Sequence, residues 1–280
     1  MNAIEIKGLT KHFKDFAVND LNMTVPSGCV VGLVGENGAG KSTTIKLILN
    51  QLHKDSGSIT ILGQDSEKED PTIRENIGVV FDECCFPAEL TVRRLQKIMR
   101  AAYRQWDDSV FEGYIRQFDL PMNRAIGKFS RGMKMKLSIA VALSHHARLL
   151  ILDEATSGLD PVVRDEIIDL LIAFNEDEEH AILISSHIVS DLEKACDYIA
   201  FLHKGRLVLF EEKDKLYEQY AVIHCTEQQL ADMDKAAVIG KRVNAFGAEA
   251  IVRREAVPSG IQSYPIDIEK LFIFMVKGGG

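Results

Sequence analysis

Gly35-Glu36-Asn37-Gly38-Ala39-Gly40-Lys41-Ser42-Thr43 decides how this chain is read. The pattern is Gly, four residues, then Gly-Lys-Ser/Thr. An apolar run, residues 29–34, precedes it as a buried strand. Residues 43–49 follow with Ile45, Ile48 and Leu49 on one helical stripe. In a strand–loop–helix context, glycines let backbone N–H groups turn inward and approach a phosphate, and the helix adds its positive N-terminal end. Lys41 is expected to reach the β- and γ-phosphates and the Ser42 hydroxyl to ligate Mg²⁺. Asn37, Gly38, Ala39, Gly40 and Thr43 complete the cradle. The competing reading is a glycine-rich turn that happens to precede Lys-Ser.

Upstream, residues 1–25 alternate as two strands, with Ile4 and Ile6 on one face of the first and Leu21, Met23 and Val25 on one face of the second. The segment between them, 11–18, includes Phe13 and ends at Val18, both expected on the ligand side of the glycine loop. An aromatic there either stacks on a purine ring or lids the core. Downstream, Ser56-Gly57 turns the chain into a strand at 58–62, and 64–74 reads as polar and exposed. Residues 79–81 form a short buried strand ending at Asp82-Glu83. Residues 90–118 carry helical spacing, with Leu95, Ile98, Met99 and Ala102 on one stripe, until Pro121 and Gly127 break it.

A helix opens after Ser130, its expected N-cap, and runs to about Ser144. The all-apolar strand 149–152 then delivers Asp153-Glu154 at its carboxyl end, where parallel sheets bind ligands. Asp153 is expected in the Mg²⁺ shell and Glu154 on the attacking water; a solvated acidic turn is the alternative. A helix at 162–174, a buried strand at 181–184 followed by Ser185-Ser186-His187, and a hairpin at 198–210 complete this part.

Composition bounds the function. The 280 residues are 46% hydrophobic and 26% charged, which suits a globular core. The formal net charge of -8 argues against a dedicated nucleic-acid binder, which needs a basic face. No apolar run approaches a membrane span, and the N-terminus lacks the pattern of a secretory signal. The cytoplasm is the expected compartment. Cys29, Cys84, Cys85, Cys196 and Cys225 have neither disulfide-framework nor zinc spacing and are read as buried or part-buried thiols. Gly278-Gly279-Gly280 is assigned no role.

With the glycine loop, Phe129-Ser130-Arg131-Gly132-Met133, Leu152-Asp153-Glu154, Ser157-Gly158-Leu159-Asp160 and Ser185-Ser186-His187 in that order, the chain resembles an ABC transporter ATP-binding subunit over residues 1–212. The resemblance implies an α/β fold: a P-loop NTPase core with a mainly parallel sheet, an N-terminal antiparallel β-subdomain and a helical subdomain inserted at about 83–146. Residues 213–280 form a small C-terminal α/β extension. It implies ATP as ligand and two cassettes meeting head to tail, a homodimer before a heterodimer. Each ATP sits on one phosphate loop and under the other copy's Ser130, Arg131 and Gly132. His187 takes the switch position at the γ-phosphate, Asp160 the position that crosses the dimer, and Phe13 the adenine-stacking position.

Three positions depart from the family pattern. The signature reads Phe-Ser-Arg-Gly-Met, Asp82 stands where glutamine is usual as a metal and water ligand, and Ala155 replaces a proline. The motif variants are similar to bacterial exporter cassettes for bacitracin-like, lantibiotic-like or amphipathic cytolytic peptides, the phenol-soluble modulin exporters among them. Such a cassette sits at the cytoplasmic face of the membrane through a separate membrane subunit, which docks beside Asp82 and residues 84–90. The alternative is a soluble ABC-type ATPase acting on ribosomes or DNA, but a second cassette or a long coiled coil is missing. A GTPase or small-molecule kinase is disfavoured by the lack of an Asn-Lys-x-Asp motif. In the extension, 213–220 reads as helix and 221–225 and 238–252 as strands. Asp267 caps a helix whose Ile268, Leu271, Phe272, Met275 and Val276 form an apolar face. That face either packs on the cassette or stabilises a dimer.

Overall fold

The computed structural model describes residues 1–68, 70–244 and 247–278. The centre is a six-stranded sheet in the order β10-β9-β3-β8-β7-β6, comprising β3 (Val30–Val34), β6 (Ile77–Val80), β7 (Leu149–Asp153), β8 (Ala181–Ser186), β9 (Tyr198–His203) and β10 (Arg206–Glu212). All pairs are parallel except β9–β10. Every residue of β3, β7 and β8 is buried, as expected of strands covered on both faces.

One face carries the antiparallel sheet β2-β1-β4-β5, built from β1 (Asn2–His12), β2 (Ala17–Pro26), β4 (Ser56–Ile61) and β5 (Gln64–Asp65). Its inward residues, Ile4, Ile6, Leu9, Leu21, Met23 and Val25, form one cluster with Val31, Leu33 and Ile151 of the central sheet. Val18, expected at the nucleotide, belongs to this cluster and is fully buried, so its side chain packs in the core rather than lining the depression beside the glycine loop. The stretch expected to be merely polar, 64–74, holds β5 and the short helix α2 (Pro71–Glu75). Asp70 caps α2, and Ile73 anchors it in the core. Glu69 lies outside the described residues.

Between β6 and β7 come α3 (Val92–Ala102), α4 (Asp108–Gln117) and α5 (Arg131–Leu143), which share a cluster around Leu95, Phe111, Ile115 and Leu137. The single helical run expected at 90–118 is two helices. Asp107 turns the chain by accepting from Ser109 N and Val110 N at 2.8 and 3.1 Å, which caps α4. The predicted stripe is also corrected: Leu95 is buried, but Ile98 is 46% exposed and Ala102 is exposed. Cys85, in the turn after β6, is exposed rather than part-buried; all five thiols are free.

The C-terminal part adds the antiparallel sheet β12-β13-β11-β14, with β11 (Tyr220–Cys225), β12 (Val238–Asn244), β13 (Gly247–Arg253) and β14 (Ser263–Tyr264). The expected stretch 238–252 is thus two antiparallel strands, β12 and β13; Ala245, Phe246, Gly279 and Gly280 lie outside the described residues. The helix α8 (Lys213–Gln219) was expected; α9 (Glu227–Ala231), closed by a Thr226–Gln229 capping box, was not. Asp267 caps α10 (Ile268–Gly278) through Lys270 N at 2.9 Å. Leu271, Phe272 and Phe274 are buried in one cluster with Val30, Ile184 and Phe201, so the cassette covers the apolar face of α10. At about 1.5–3 kcal/mol for each large side chain buried, that contact accounts for the helix without a second copy.

Candidate functional site

The glycine loop leaves β3 and enters α1 (Lys41–Ile48) with Gly38 and Gly40 at φ 82° and 111°, left-handed values that L side chains rarely adopt. A Cβ at Gly35 would lie 2.5 Å from the Leu202 carbonyl oxygen, so the loop closes against β9. The Ala39 amide donates to Glu36 O at 3.0 Å, and Thr44 Oγ1 donates to Gly40 O at 2.9 Å. Together these fix a short arch at the N-terminus of α1.

Lys41 is buried, and its Nζ donates to Gly35 O at 2.7 Å and to Glu36 O at 3.3 Å while pairing with Glu154 Oε1 at 3.1 Å. A buried ammonium with three oxygen partners is compensated and aimed. Glu154 follows β7 at φ 51°, a costly conformation for a non-glycine residue and one that marks functional turns. Its amide donates to both Ser185 O and Ser185 Oγ at 3.1 Å. Its other oxygen, Oε2, lies 2.6 Å from His187 Nδ1.

Asp153 accepts from Ser42 Oγ at 3.1 Å and from Ser185 Oγ at 2.7 Å. Ser186 Oγ accepts from Ile188 N at 2.9 Å, holding the turn that carries His187. Lys41, Ser42, Asp153, Glu154 and His187 therefore form one connected network through Ser185. Ser185 was missed as its hub; the signal is a serine pair ending an otherwise apolar strand.

The network opens on a depression of about 470 Å³ lined by Phe16, Glu36, Asn37, Gly38, Gly40, Lys41, Ser42, Thr43, Asp82 and Glu154. Phe16, not Phe13, is the aromatic on its wall. A Cβ at Gly40 would lie 2.9 Å from the Phe16 ring, while Phe13 stacks outboard at 6.2 Å between centroids and is 43% exposed. Ala39 is buried beneath the arch and contributes its backbone rather than its side chain. Ser42, Asp153 and Asp82 supply hard oxygen donors on one side. That set fits Mg²⁺, which takes one or two carboxylates plus water and phosphate rather than an all-protein cage. Among the described residues no cluster of three His, Cys, Asp or Glu offers such a cage.

Ser130, Arg131 and Gly132 do not line this depression. Ser130 caps α5 by accepting from Met133 N at 3.2 Å. The Arg131 guanidinium lies beside Gly158, where a Cβ would come within 3.0 Å of it. Asp160 caps α6 (Pro161–Phe174) through Val163 N at 3.1 Å. Within one chain, the signature turn and the 157–160 turn form a second surface. Asp82 reaches both, since it also lines a hollow with Glu83, Cys84, Arg131, Lys134 and Met135.

The sequence profile described as "ABC transporter" matches residues 18–157. The chain is 36% identical over 244 residues to the bacitracin transport ATP-binding protein BcrA of Bacillus licheniformis, covering 84% of this chain and 78% of that one. It is 29% identical to the ABC transporter ATP-binding protein YtrB of Bacillus subtilis over 290 aligned positions, covering 99% of this chain and 98% of YtrB. Among solved structures, an ATP-binding subunit of an ABC transporter superposes with a TM-score of 0.68 at 31% identity, covering 76% of this chain and 91% of that one.

Proposed function

This chain belongs to the ABC transporter family and is an ATP-binding, ATP-hydrolysing subunit, and from that premise we propose that it powers peptide export through a separate membrane subunit. One observation carries the chemistry: Lys41, Ser42, Asp153, Glu154 and His187 converge in a single hydrogen-bonded network at the carboxyl end of the parallel sheet. The arch amides and Lys41 bind the β- and γ-phosphates of ATP. Phe16, with Phe13 beyond it, offers ring faces to the adenine. Ser42, Asp153 and Asp82 would hold Mg²⁺, which when bound would supply positive charge against the phosphates.

Glu154 orients a water molecule and accepts its proton as the water oxygen bonds to the γ-phosphorus. The bond to the β,γ-bridging oxygen breaks, giving ADP and phosphate. His187, already against Glu154, contacts the γ-phosphate. The exposed turns at Ser130-Arg131-Gly132 and Asp160 complete the site of a second copy, so ATP bridges a pair, a homodimer on this reading. Hydrolysis removes the bridge.

The membrane subunit docks beside Asp82 and residues 84–90. An open groove of about 400 Å³ reaches Phe81, the residue before Asp82, with Ile73, Arg74 and Tyr103 also in its wall. On this reading the protein works at the cytoplasmic face of the membrane. Among the described residues no helix is long and apolar enough to cross one. The peptide cargo rests on the likeness to a bacitracin transport protein.

The test is self-association. Purified Glu154→Gln with ATP is expected to sediment as a dimer, and Lys41→Ala as a monomer. A Glu154→Gln variant that hydrolyses ATP at the normal rate removes Glu154 from this role.

A further inference from the structure

Behind the Asp153–Glu154 turn, three buried polar atoms make no hydrogen bond: Thr156 Oγ1, Arg164 Nε and Asp191 Oδ2. Thr156 is fully buried and Asp191 is 6% exposed. Arg164 Nε stands 3.8 Å from Asp191 Oδ2, an ion pair beyond hydrogen-bond reach. The far end of the same guanidinium, Nη2, donates to Leu159 O at 3.2 Å. Burial pushes the Asp191 carboxyl up, and the Thr156 hydroxyl, Arg164 and His187 all act against that rise, so the four groups share one environment.

Each of these residues sits on a segment already tied to the site. Thr156 is two positions past Glu154. Leu159, whose carbonyl Arg164 holds, precedes Asp160. Asp191 lies on α7 (Val189–Ala195), four positions past His187. Lys194 also joins α7 to α6, through Asp165 and Asp169, but on the exposed surface, where pairing contributes little. A buried group without a partner costs about 1–3 kcal/mol, and such groups are rare enough in native structures to need a cause. Three side by side, with opposite charges about 1 Å short of a charge-assisted hydrogen bond, describe a contact held open.

We infer that Thr156, Arg164 and Asp191 form an internal clamp between the His187 turn and the 157–160 turn, closing when the γ-phosphate engages Glu154 and His187. Closure draws α7 onto α6 and shifts Leu159 through the Arg164 guanidinium. The clamp thus sets where Asp160 stands at the surface facing the second copy. All three are positioning residues, and the inference rests on the roles given above to His187 and Asp160.

The test uses the full chain. Thr156→Val keeps shape and removes a buried hydroxyl that acts on the Asp191 carboxyl without closing a hydrogen bond, so its melting temperature is expected to change little. Its kcat is nevertheless expected to fall several-fold at unchanged KM for ATP. A purely structural hydroxyl cannot give that combination. Asp191→Asn is expected to lower kcat about tenfold, within the range seen for coupling residues. Arg164→Gln combined with it is expected to lose no more than the worse single variant. Asp191→Glu, long enough to span the gap, is expected to keep more turnover than Asp191→Asn. Amide hydrogen exchange at 157–160 is expected to quicken in Asp191→Asn, although the substitution is on another helix. Normal kcat in Thr156→Val, or additive losses in the double variant, overturns the clamp. Normal turnover in Glu154→Gln overturns the site reading instead, and the two failures are read from different proteins.

Discussion

Gly35 stands in the loop before α1 and Gly132 in the first turn of α5, yet the chain needs them for opposite reasons. At Gly35 a Cβ would strike the Leu202 carbonyl at 2.5 Å and the Ala39 Cβ at 2.9 Å, so this protein's own backbone excludes a side chain. At Gly132 the first atom a Cβ would meet is Val163 Cγ1 at 3.4 Å, an ordinary contact, and the position is helical. Nothing inside the molecule requires glycine there. One surface is finished by the chain that carries it, and the other is shaped for something that approaches from outside.

The largest effect expected on the finished side is from Lys41→Ala. Removing a buried ammonium that faces the phosphates should cut steady-state ATP hydrolysis by about 10²–10³-fold and weaken binding of a fluorescent ATP analogue as well. Glu154→Gln should cost about 10²-fold in turnover yet leave nucleotide binding intact, because the loss falls on proton transfer and not on the arch. Equal loss of binding in the two variants would merge roles that the geometry separates.

Alanine at each of the two glycines separates the finished surface from the open one. Gly35→Ala forces β9 to move and should lower unfolding free energy in urea by about 1–3 kcal/mol. Gly132→Ala should leave stability level, or raise it by up to about 1 kcal/mol, since alanine favours a helix. It should still reduce hydrolysis and ATP-dependent dimerisation. Unchanged turnover in Gly132→Ala would show that nothing approaches the signature turn closely.

The smallest effect is expected far from both surfaces. Asp55 accepts from Lys11 Nζ and His12 N, each at 2.7 Å, and these bonds hold its carboxyl down at about 2, from an ordinary 3.8. A depressed folded-state value means the contact stabilises fully above the ordinary value and is lost as pH falls from there toward about 2. In Asp55→Asn, acid unfolding followed by circular dichroism should be flatter across that window, with ATP hydrolysis at neutral pH unaltered.

Sequence patterning read the central strands well, because an uninterrupted apolar run at 149–152 or 181–184 fits a strand covered on both faces. The caps at Ser130 and Asp267 were equally legible, since a side-chain acceptor before an apolar stripe is a local signal. The helical insertion was less so. A stripe drawn through Leu95, Ile98, Met99 and Ala102 ignored the Asp107 cap, and burial there is decided by α4 and α5 rather than by spacing. Val18 looked like the end of a ligand loop, but it pairs with Lys11 in the first antiparallel ladder and faces the core.

Local order along the chain determined the glycine arch, its lysine, and the acidic pair that ends β7, because each depends on neighbours within a few residues. Only the folded molecule decided that Ser185 joins Asp153 to Glu154, that Phe16 walls the depression, and that the cassette covers α10. The same holds for Arg164 and Asp191, which stop just short of one another. Those facts join residues up to 244 positions apart, as with Val30 and Phe274 in one cluster. They depend on how sheets and helices stack, which no short window of sequence contains.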